Sequence, residues 1–147
     1  MGKEKAYGIL LYKVEKKSIK VLLCKSVKSL DRWGCLKGVV SGNESPKECA
    51  KREFKEECGI SIDSSSFEEY FFQENDEKDI GIWVVNAKKI NTLDEYFIED
   101  KLIERYLSWE NSKVKFFDIN ELPNIKKKQK NLAKDIKDFL QNKSQFH

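Results

Sequence analysis

Residues 38–60 read GVVSGNESPKECAKREFKEECGI, and this stretch holds the densest set of local structural signals in the 147-residue chain. Ser45, followed at once by a proline and three residues later by Glu48, forms the capping box that starts a helix. Gly59 followed by the apolar Ile60 ends one, because glycine readily adopts the left-handed conformation after the last turn. The stretch therefore predicts a helix of about three turns.

Three glutamates of this helix, Glu53, Glu56 and Glu57, share one face when successive residues are placed about 100° apart. Carboxylates at these spacings repel one another and destabilise a helix unless cations lie between them. A divalent ion such as Mg²⁺ removes the conflict, since it prefers carboxylate and water oxygens and also binds substrate phosphates. Arg52 adjoins this face and is able to pair with Glu48 or Glu56. On the helix alone, an ordinary solvated charged face remains the alternative.

The composition is that of an ordinary domain, because 39% of the residues are hydrophobic, 36% are charged and the formal net charge is +3. A chain of 147 residues buries roughly 70% of its unfolded surface, so we expect residues 1–147 to form a single domain. No run approaches the ~18 apolar residues of a membrane span, and the charged N-terminus does not resemble a signal peptide. We expect a cytoplasmic protein with no membrane partner.

The scarcity of histidine narrows the chemistry. The only histidine is His147, the last residue, so Ser-His-Asp sites, Cys-His sites and histidine-based zinc sites lack a suitable imidazole. Proton transfer must then use carboxylates, lysine, tyrosine or a metal-bound water. The four cysteines form no C-x-x-C pair, and we expect them to be reduced and packed in the core.

Strand patterns recur through the rest of the chain. Residues with apolar alternation or with aromatic and β-branched side chains predict strands over 7–14, 19–24, 33–36, 67–72, 80–85 and 114–119. Helical spacing of apolar residues predicts further helices over 93–107 and 125–140. This mixture predicts an α/β fold in which helices flank a mixed sheet.

The helix and the glycine before it match the signature of the Nudix hydrolases, G-x5-E-x7-R-E-U-x-E-E-x-G-U, in which U is apolar. Every specified position agrees, and these positions are Gly38, Glu44, Arg52, Glu53, Phe54, Glu56, Glu57, Gly59 and Ile60. A chance match in a chain of this length is on the order of one in a million or less. The chain thus resembles the Nudix family, which implies a Nudix-type α/β/α sandwich with a mixed sheet.

The resemblance implies a metal centre. Glu53, Glu56 and Glu57 resemble the family's metal-binding carboxylates, and the Gly38 carbonyl is implied as a further ligand of Mg²⁺ or Mn²⁺. The implied reaction is attack of water on a phosphorus atom of a nucleoside diphosphate linked to another group. Divalent ions neutralise the diphosphate and acidify water in such reactions, so no histidine is needed.

The other signature residues have supporting roles by the same resemblance. Arg52 resembles the arginine that orients the glutamates, Glu44 resembles its charge partner, and Gly59 is structural. The general base is implied to be a residue of the signature or a carboxylate on a distant loop. We favour Glu57, and Glu110, just before the last predicted strand, is the loop candidate for base or extra ligand.

Residues that precede the signature bear on the substrate. The hexapeptide WGCLKG, residues 33–38, resembles the W-x-F-P-K-G segment of relatives that act on dinucleoside polyphosphates and RNA 5′ triphosphates, although Cys35 and Leu36 depart from it. Lys37 would then reach phosphate oxygens as a point charge, and Trp33 is a candidate for stacking on a base. We expect a small nucleotide substrate, with a dinucleoside polyphosphate first. The alternatives are RNA 5′ ends, nucleoside triphosphates, and a non-catalytic nucleotide- or RNA-binding domain.

Two further segments leave their roles open. The basic stretch of lysines at positions 126, 127, 128, 130, 134 and 137 either attracts RNA or is the solvated face of an amphipathic helix. The aromatic-rich insertion 93–109 forms a lid, a dimer surface or a packed helix. The sequence accordingly leaves monomer and homodimer open.

Overall fold

The structure, a computed structural model, describes residues 3–29 and 31–144, so His147 lies outside the described residues. Within them, the strands β1 to β8 are Glu4–Glu15, Ser18–Ser26, Leu36–Val39, Phe67–Gln73, Lys78–Asn86, Phe97–Ile98, Lys101–Leu102 and Asn111–Asp118. The helices α1 and α2 are Pro46–Cys58 and Lys130–Ser144. Neither helix in this part of the chain combines the length and the apolar character needed to cross a bilayer.

The strands form one open, mixed sheet in the order β4-β5-β1-β2-β8-β7-β6, with β3 paired to β1. β1 runs parallel to β5 and antiparallel to β2 and β3. The helix α1 packs on β1 and β3, whereas α2 packs on β4. Their buried side chains belong to two separate hydrophobic clusters. The predicted α/β/α sandwich with a mixed sheet is therefore confirmed.

The two layers of core follow from the alternation of side chains along β1. Ile9 and Leu11 belong to the cluster that contains the apolar side of α1, and Leu10 and Tyr12 belong to the cluster that contains Leu132 of α2. Successive side chains of a strand point to opposite faces, so an unbroken apolar run serves both layers. β1 is therefore the central strand against which α1 packs.

The caps predicted for α1 are present. The Ser45 hydroxyl accepts a hydrogen bond from the Glu48 backbone N–H at 3.2 Å, and a Glu48 carboxylate oxygen accepts one from the Ser45 N–H at 2.9 Å. Gly59 has φ of 83°, the left-handed conformation expected after the last turn. All four cysteines are free and buried, as predicted, and two of them lie on the packed side of this helix.

The helix predicted over 93–107 is wrong. The segment contains two short 3-10 turns, Leu93–Glu95 and Glu104–Tyr106, on either side of the β6–β7 hairpin. At the tip of the hairpin, Glu99 has φ of 49° and Asp100 has φ of 69°, values that a right-handed helix excludes. The apolar residues that suggested helical spacing make separate contacts instead.

Those contacts attach the insertion to the rest of the molecule. The ring of Phe97 packs on Phe116 of β8, with the centroids 4.9 Å apart, whereas Tyr96 and Tyr106, with centroids 4.6 Å apart, pack on each other within the insertion. A Cβ atom placed on Gly59 would lie 3.0 Å from the Tyr106 ring. The insertion therefore covers the C-terminal end of α1, so it is neither a packed helix nor detached from the functional helix.

Two other boundaries differ from the prediction for one shared reason. The strand predicted over 33–36 is displaced to Leu36–Val39, because Trp33 forms only an isolated bridge with Ile125. The Lys126 N–H also donates to the Trp33 carbonyl at 2.9 Å. Because Ile125 and Lys126 pair with Trp33 in this way, they are not helical, and the helix predicted over 125–140 begins only at residue 130.

The helical spacing of apolar residues that predicts this last helix corresponds to a buried stripe in the structure. Leu132, Ile136 and Leu140 are each at most 1% exposed, and Phe139 packs against the same cluster. The Leu132 N–H donates to the Gln73 side chain at 3.0 Å, which satisfies one of the free donors of the first helical turn.

An ion-pair network fixes the tip of the β6–β7 hairpin. The Asp100 carboxylate accepts hydrogen bonds from the ammonium groups of Lys13 on β1 and Lys20 on β2. Burial alone would raise the pKa of Asp100, but these two hydrogen bonds outweigh it and hold the pKa below its ordinary value. The left-handed turn is thus held by long-range charge pairing.

We predict that Asp100→Asn lowers the free energy of unfolding by about 1–2 kcal/mol at pH 7, because charged hydrogen bonds are lost. Urea denaturation measures this change. Since the pKa of Asp100 is lowered on folding, the stabilisation is present above the ordinary carboxyl range and fades as the pH falls through it. The matched control is Glu99→Gln at the exposed neighbouring residue, where we expect less than about 0.5 kcal/mol. Equal losses in the two variants at pH 7 would contradict the role of the network.

Candidate active site

The site is built where α1 crosses β3. Gly38 pairs with Tyr7 of β1, and a Cβ atom on Gly38 would lie 1.9 Å from the carboxyl carbon of Glu53. A side chain at this position and the Glu53 carboxylate cannot occupy the same space. The glycine therefore lets a charged group of the helix lie directly on the strand backbone.

Arg52 organises the acidic face of α1. Its Nε and Nη2 atoms donate to the two carboxylate oxygens of Glu44 at 2.9 and 2.6 Å, a two-point contact. Its Nη1 atom donates to Glu53 at 2.8 Å and to Glu56 at 3.2 Å. Arg52 pairs with Glu56 as predicted, whereas Glu48 is used by the capping box. One guanidinium thus holds three carboxylates.

These contacts alter the charge states of the group. Hydrogen bonds from Arg52 lower the pKa of Glu44 to about 2, and the carboxylates in turn raise the pKa of the guanidinium. Burial raises the pKa of Glu53, although the hydrogen bond from Arg52 opposes the rise. Arg52 and Glu44 therefore stay ionised, whereas Glu53 sits in surroundings that disfavour its negative charge.

Glu57 has the surroundings that most disfavour a negative charge among the carboxylates of the site. Its Oε1 atom accepts a hydrogen bond from the Asn111 side-chain amide at 3.1 Å. Its Oε2 atom is, within residues 3–29 and 31–144, the one buried side-chain nitrogen or oxygen without a hydrogen-bond partner. Burial raises the pKa of Glu57 to about 8, the charge of Glu53 adds to the rise, and Asn111 and Lys37 oppose it. An unpaired buried carboxylate oxygen is costly, so it calls for a cation or a proton.

The loop candidate Glu110 lies near this group. It is exposed, and it precedes Asn111, the first residue of β8. Its negative charge raises the pKa of both Glu53 and Glu57. The structure thus places Glu110, the carboxylate proposed from outside the signature, within electrostatic reach of Glu53 and Glu57.

Lys37 brings positive charge to the same region. Burial lowers its pKa, and so do the charges of Lys126 and Lys78, while the charge of Glu57 opposes the change. The positive charges of Lys78 on β5 and of Lys126, before α2, therefore act on Lys37, and so does the negative charge of Glu57. The repulsion among the lysines disfavours this grouping unless an anion joins it.

Trp33, the candidate for stacking on a base, is largely buried. Its side chain is 9% exposed, and its ring meets Phe117 edge-on with centroids 4.7 Å apart. The ammonium groups of Lys25 and Lys115 each lie 5.8 Å from the ring centroid. Trp109, by contrast, is 85% exposed.

The donor atoms of the site fit a hard divalent cation. Glu53, Glu56, Glu57 and the Gly38 carbonyl offer only oxygen, the ligand type that Mg²⁺ and Mn²⁺ prefer. In the described part of the chain no three acidic, cysteine or histidine side chains already converge as a complete metal cage. Arg52 draws Glu53 and Glu56 to one side while Asn111 holds Glu57, and the Gly38 carbonyl accepts from the Cys49 thiol at 3.3 Å. Among these oxygens, Oε2 of Glu57 is buried and has no hydrogen-bond partner, so a cation bound there would compensate its charge.

Two residues of the site carried no signal in the sequence. Asn111 and Lys78 belong to no motif, and each reaches the site through the sheet, from the start of β8 and the start of β5. Only the strand order would have indicated them, because it places the first residues of both strands at the same end of the molecule as Gly38.

Comparisons with known proteins agree with the fold and the signature. Residues 2–142 match the NUDIX domain family. An Ap4A hydrolase from C. elegans, solved as a binary complex, is 24% identical with a TM-score of 0.56, over 80% of this chain and 81% of that chain. A MutT NUDIX hydrolase from Burkholderia pseudomallei is 18% identical with a TM-score of 0.60, over 90% and 96%.

A mutT/nudix family protein from Listeria innocua is 14% identical with a TM-score of 0.61, over 99% of this chain and 98% of that chain. The comparison with curated proteins gave no match. At these identities the structural likenesses establish the fold, whereas the domain match extends over nearly all of the sequence. The chain belongs to the Nudix family of pyrophosphohydrolases.

Proposed function

We propose that this protein hydrolyses a phosphoanhydride bond of a nucleotide by attack of water on phosphorus, with Mg²⁺ or Mn²⁺ bound to α1. Nudix hydrolases generally use divalent ions and act on small nucleotides. The observation that supports the proposal most strongly is the unpaired, buried Oε2 atom of Glu57 within a group of like-charged carboxylates. Such a group is stable in its ionised form only beside a cation.

We assign the ligands to Glu53, Glu56 and Glu57, with the Gly38 carbonyl as a further candidate. A bound divalent ion supplies charge neutralisation for the diphosphate and lowers the pKa of water. Arg52 orients the ligands, because it fixes Glu53 and Glu56 while Glu44 holds the guanidinium from the other side. This arrangement limits the freedom of the carboxylates before any ligand arrives.

We assign the general base to Glu57. Burial raises the pKa of Glu57 to about 8 in the absence of a cation, so this carboxylate has a strong tendency to take up a proton. Glu110 is the second candidate, since it is exposed and its charge acts on both Glu53 and Glu57. Lys37 is assigned to the phosphate chain of the substrate, which it approaches as a point charge.

For the substrate we propose a dinucleoside polyphosphate. The argument rests on Lys37, which stands at the lysine of the W-x-F-P-K-G segment found in relatives that act on dinucleoside polyphosphates, and the positive charges of Lys78 and Lys126 act on it. The C. elegans protein of similar fold is an Ap4A hydrolase, but at 24% identity that likeness supports the fold alone.

A second candidate is the 5′ triphosphate of RNA. The observation in its favour is that Lys126, from the basic stretch, acts on Lys37. The exposed lysines of α2 itself lie on the layer opposite α1, which favours a small nucleotide over a long polyanion.

A product screen separates these substrates. Dinucleoside polyphosphates, nucleoside triphosphates, nucleotide sugars and 5′-triphosphorylated RNA are each incubated with the protein and Mg²⁺ or Mn²⁺, and products are identified by mass. We expect the highest kcat/KM for dinucleoside polyphosphates. A clear preference for RNA, with affinity falling steeply as salt rises, would favour the second candidate. No hydrolysis in the whole panel would leave the non-catalytic alternative.

We predict that Glu56→Gln and Glu57→Gln each lower turnover at least about a hundredfold, as expected when a metal ligand or a base is lost. Steady-state kinetics on the best substrate of the screen measures this loss, and circular dichroism checks that each variant is folded. Glu121→Gln is the control, because Glu121 is an exposed glutamate of a loop outside the site. Turnover that stays normal in both helix variants would remove the proposed roles.

The raised pKa of Glu57 predicts a pH-dependent stability in the presence of EDTA. In the unfolded chain the carboxyl ionises near 4.5, whereas in the folded protein it keeps its proton up to about 8. Stability is therefore lost as the pH rises through this window, by a few kcal/mol in total. Urea denaturation at pH 5, 7 and 8.5 should show the protein losing stability relative to Glu57→Gln. A difference between the two proteins that does not change with pH would contradict the burial of an ionisable Glu57.

A further inference from the structure

Asn111 is the one neutral side chain that contacts the carboxylate of Glu57 by a hydrogen bond among those the structure describes. It is 6% exposed, and its Nδ2 atom donates to Glu57 Oε1 at 3.1 Å. The two residues are 54 positions apart in sequence and lie on different layers of the fold, one on α1 and one at the start of β8. This contact joins α1 to the N-terminal end of β8, a strand inside the sheet.

The position of Asn111 is fixed by its backbone. Its N–H donates to the Ser108 carbonyl at 3.0 Å, and it pairs with Ser26 of β2. The preceding residue, Glu110, donates its N–H to the Ser108 hydroxyl at 3.2 Å and accepts from the Val27 N–H at 2.9 Å. The amide of Asn111 is therefore presented from a tight turn that the sheet holds, and it does not follow the helix if the helix shifts.

The hydrogen bond selects one oxygen of the Glu57 carboxylate. A carboxylate turns easily about its last torsion, which is broad and roughly two-fold. With Oε1 held by Asn111, the plane of the group is set and Oε2 is the atom left without a partner. An amide is well suited to this task, since its NH₂ group donates at any pH and carries no charge that would compete for a cation.

We propose that Asn111 is the positioning residue of Glu57, which holds Oε1 so that Oε2 is presented to the divalent cation, and which joins the turn carrying Glu110 to α1. This inference rests on the proposed function, because it assigns Glu57 as a metal ligand. Groups that orient a ligand from outside the coordination sphere change metal affinity by about 10–100-fold when they are lost.

The test measures Mn²⁺ binding to the substrate-free protein, with free Mn²⁺ followed by electron paramagnetic resonance. Asn111→Leu removes the donor while keeping a side chain of similar shape. We expect its Kd for Mn²⁺ to rise about tenfold or more. Asn111→Ser, which is polar but too short to reach Glu57, should show the same direction of change and provides a second variant if the leucine protein does not fold.

Asn86→Leu is the matched control. Asn86 is also buried, at 8% exposure, and also lies at the end of a strand, where its side chain accepts from the Lys88 N–H at 3.0 Å. We expect Asn86→Leu to lose thermal stability comparably but to keep its Kd within about twofold, because it touches no residue of the site. A loss of affinity equal to that of Asn111→Leu would show that destabilisation alone explains the effect, and would overturn the proposal.

A double-mutant cycle distinguishes positioning of Glu57 from any other effect. In the Glu57→Gln background, Asn111→Leu should change the Mn²⁺ Kd by less than about twofold, since the group it positions is gone. A full tenfold effect in that background, or an unchanged Kd in Asn111→Leu alone, would overturn the proposal.

The same measurements distinguish a failure of the inference about Asn111 from a failure of the proposed function. If Glu57→Gln weakens Mn²⁺ binding but Asn111→Leu does not, the proposed function stands and the inference about Asn111 fails. If the unsubstituted protein does not bind Mn²⁺, the proposed function fails and the inference fails with it. If Glu57→Gln binds Mn²⁺ equally well, Glu57 is not a ligand and the inference about Asn111 alone is overturned.

Discussion

The repulsion among the carboxylates of α1 is the constraint on which the rest of the site depends. Glu53, Glu56 and Glu57 lie within little more than one turn of a helix. Burial raises the pKa of Glu53 and of Glu57, the charge of Glu56 adds to the rise at Glu53, and the charge of Glu53 adds to the rise at Glu57. Arg52 neutralises the side that faces Glu44, where it binds three carboxylates at once. On the side that faces β8, the hydrogen bond to Glu57 comes from the uncharged amide of Asn111. The negative charge of Glu57 on this side is not neutralised by an ion pair, and a divalent ion, which Nudix hydrolases generally use, would neutralise it there.

The surrounding fold holds this unfavourable grouping in place. Gly38 lets Glu53 lie on the backbone of β3, and the capping box and Gly59 fix the two ends of the helix. The insertion between β5 and β8 packs Tyr106 against Gly59, while Asp100 ties its hairpin to β1 and β2. Local signals thus set the helix, and long-range contacts set its position on the sheet.

Prediction from sequence succeeds for the features set by local signals and fails for those set by long-range contacts. The ends of α1, its acidic face and the pairing of Arg52 with Glu44 were predicted, because capping and helical spacing act within a few residues or because the Nudix signature specifies them. The helix predicted over 93–107 was wrong, because its apolar spacing reflects separate tertiary contacts. The tip of the hairpin there uses Glu99 and Asp100 in left-handed conformations, without the glycine or asparagine that usually signals such a turn.

Asn111 shows the same limit within the site. A single asparagine at the start of a strand has no local pattern, and its role depends on β8 lying beside β2 and on the turn that begins at Ser108. The sequence predicts Glu110 as a loop candidate because it lies just before a strand, and the effect of its charge on Glu53 and Glu57 depends on the same strand order.

The most direct test of the account is the location of the cation. Crystals grown with Mn²⁺ allow anomalous scattering to place the ion independently of any assigned role. The account predicts an anomalous peak about 2.1 Å from carboxylate oxygens of α1, with Oε2 of Glu57 among the ligands and Oε1 still bonded to Asn111. A peak away from this helix, or a cation coordinated without Glu57, would contradict it.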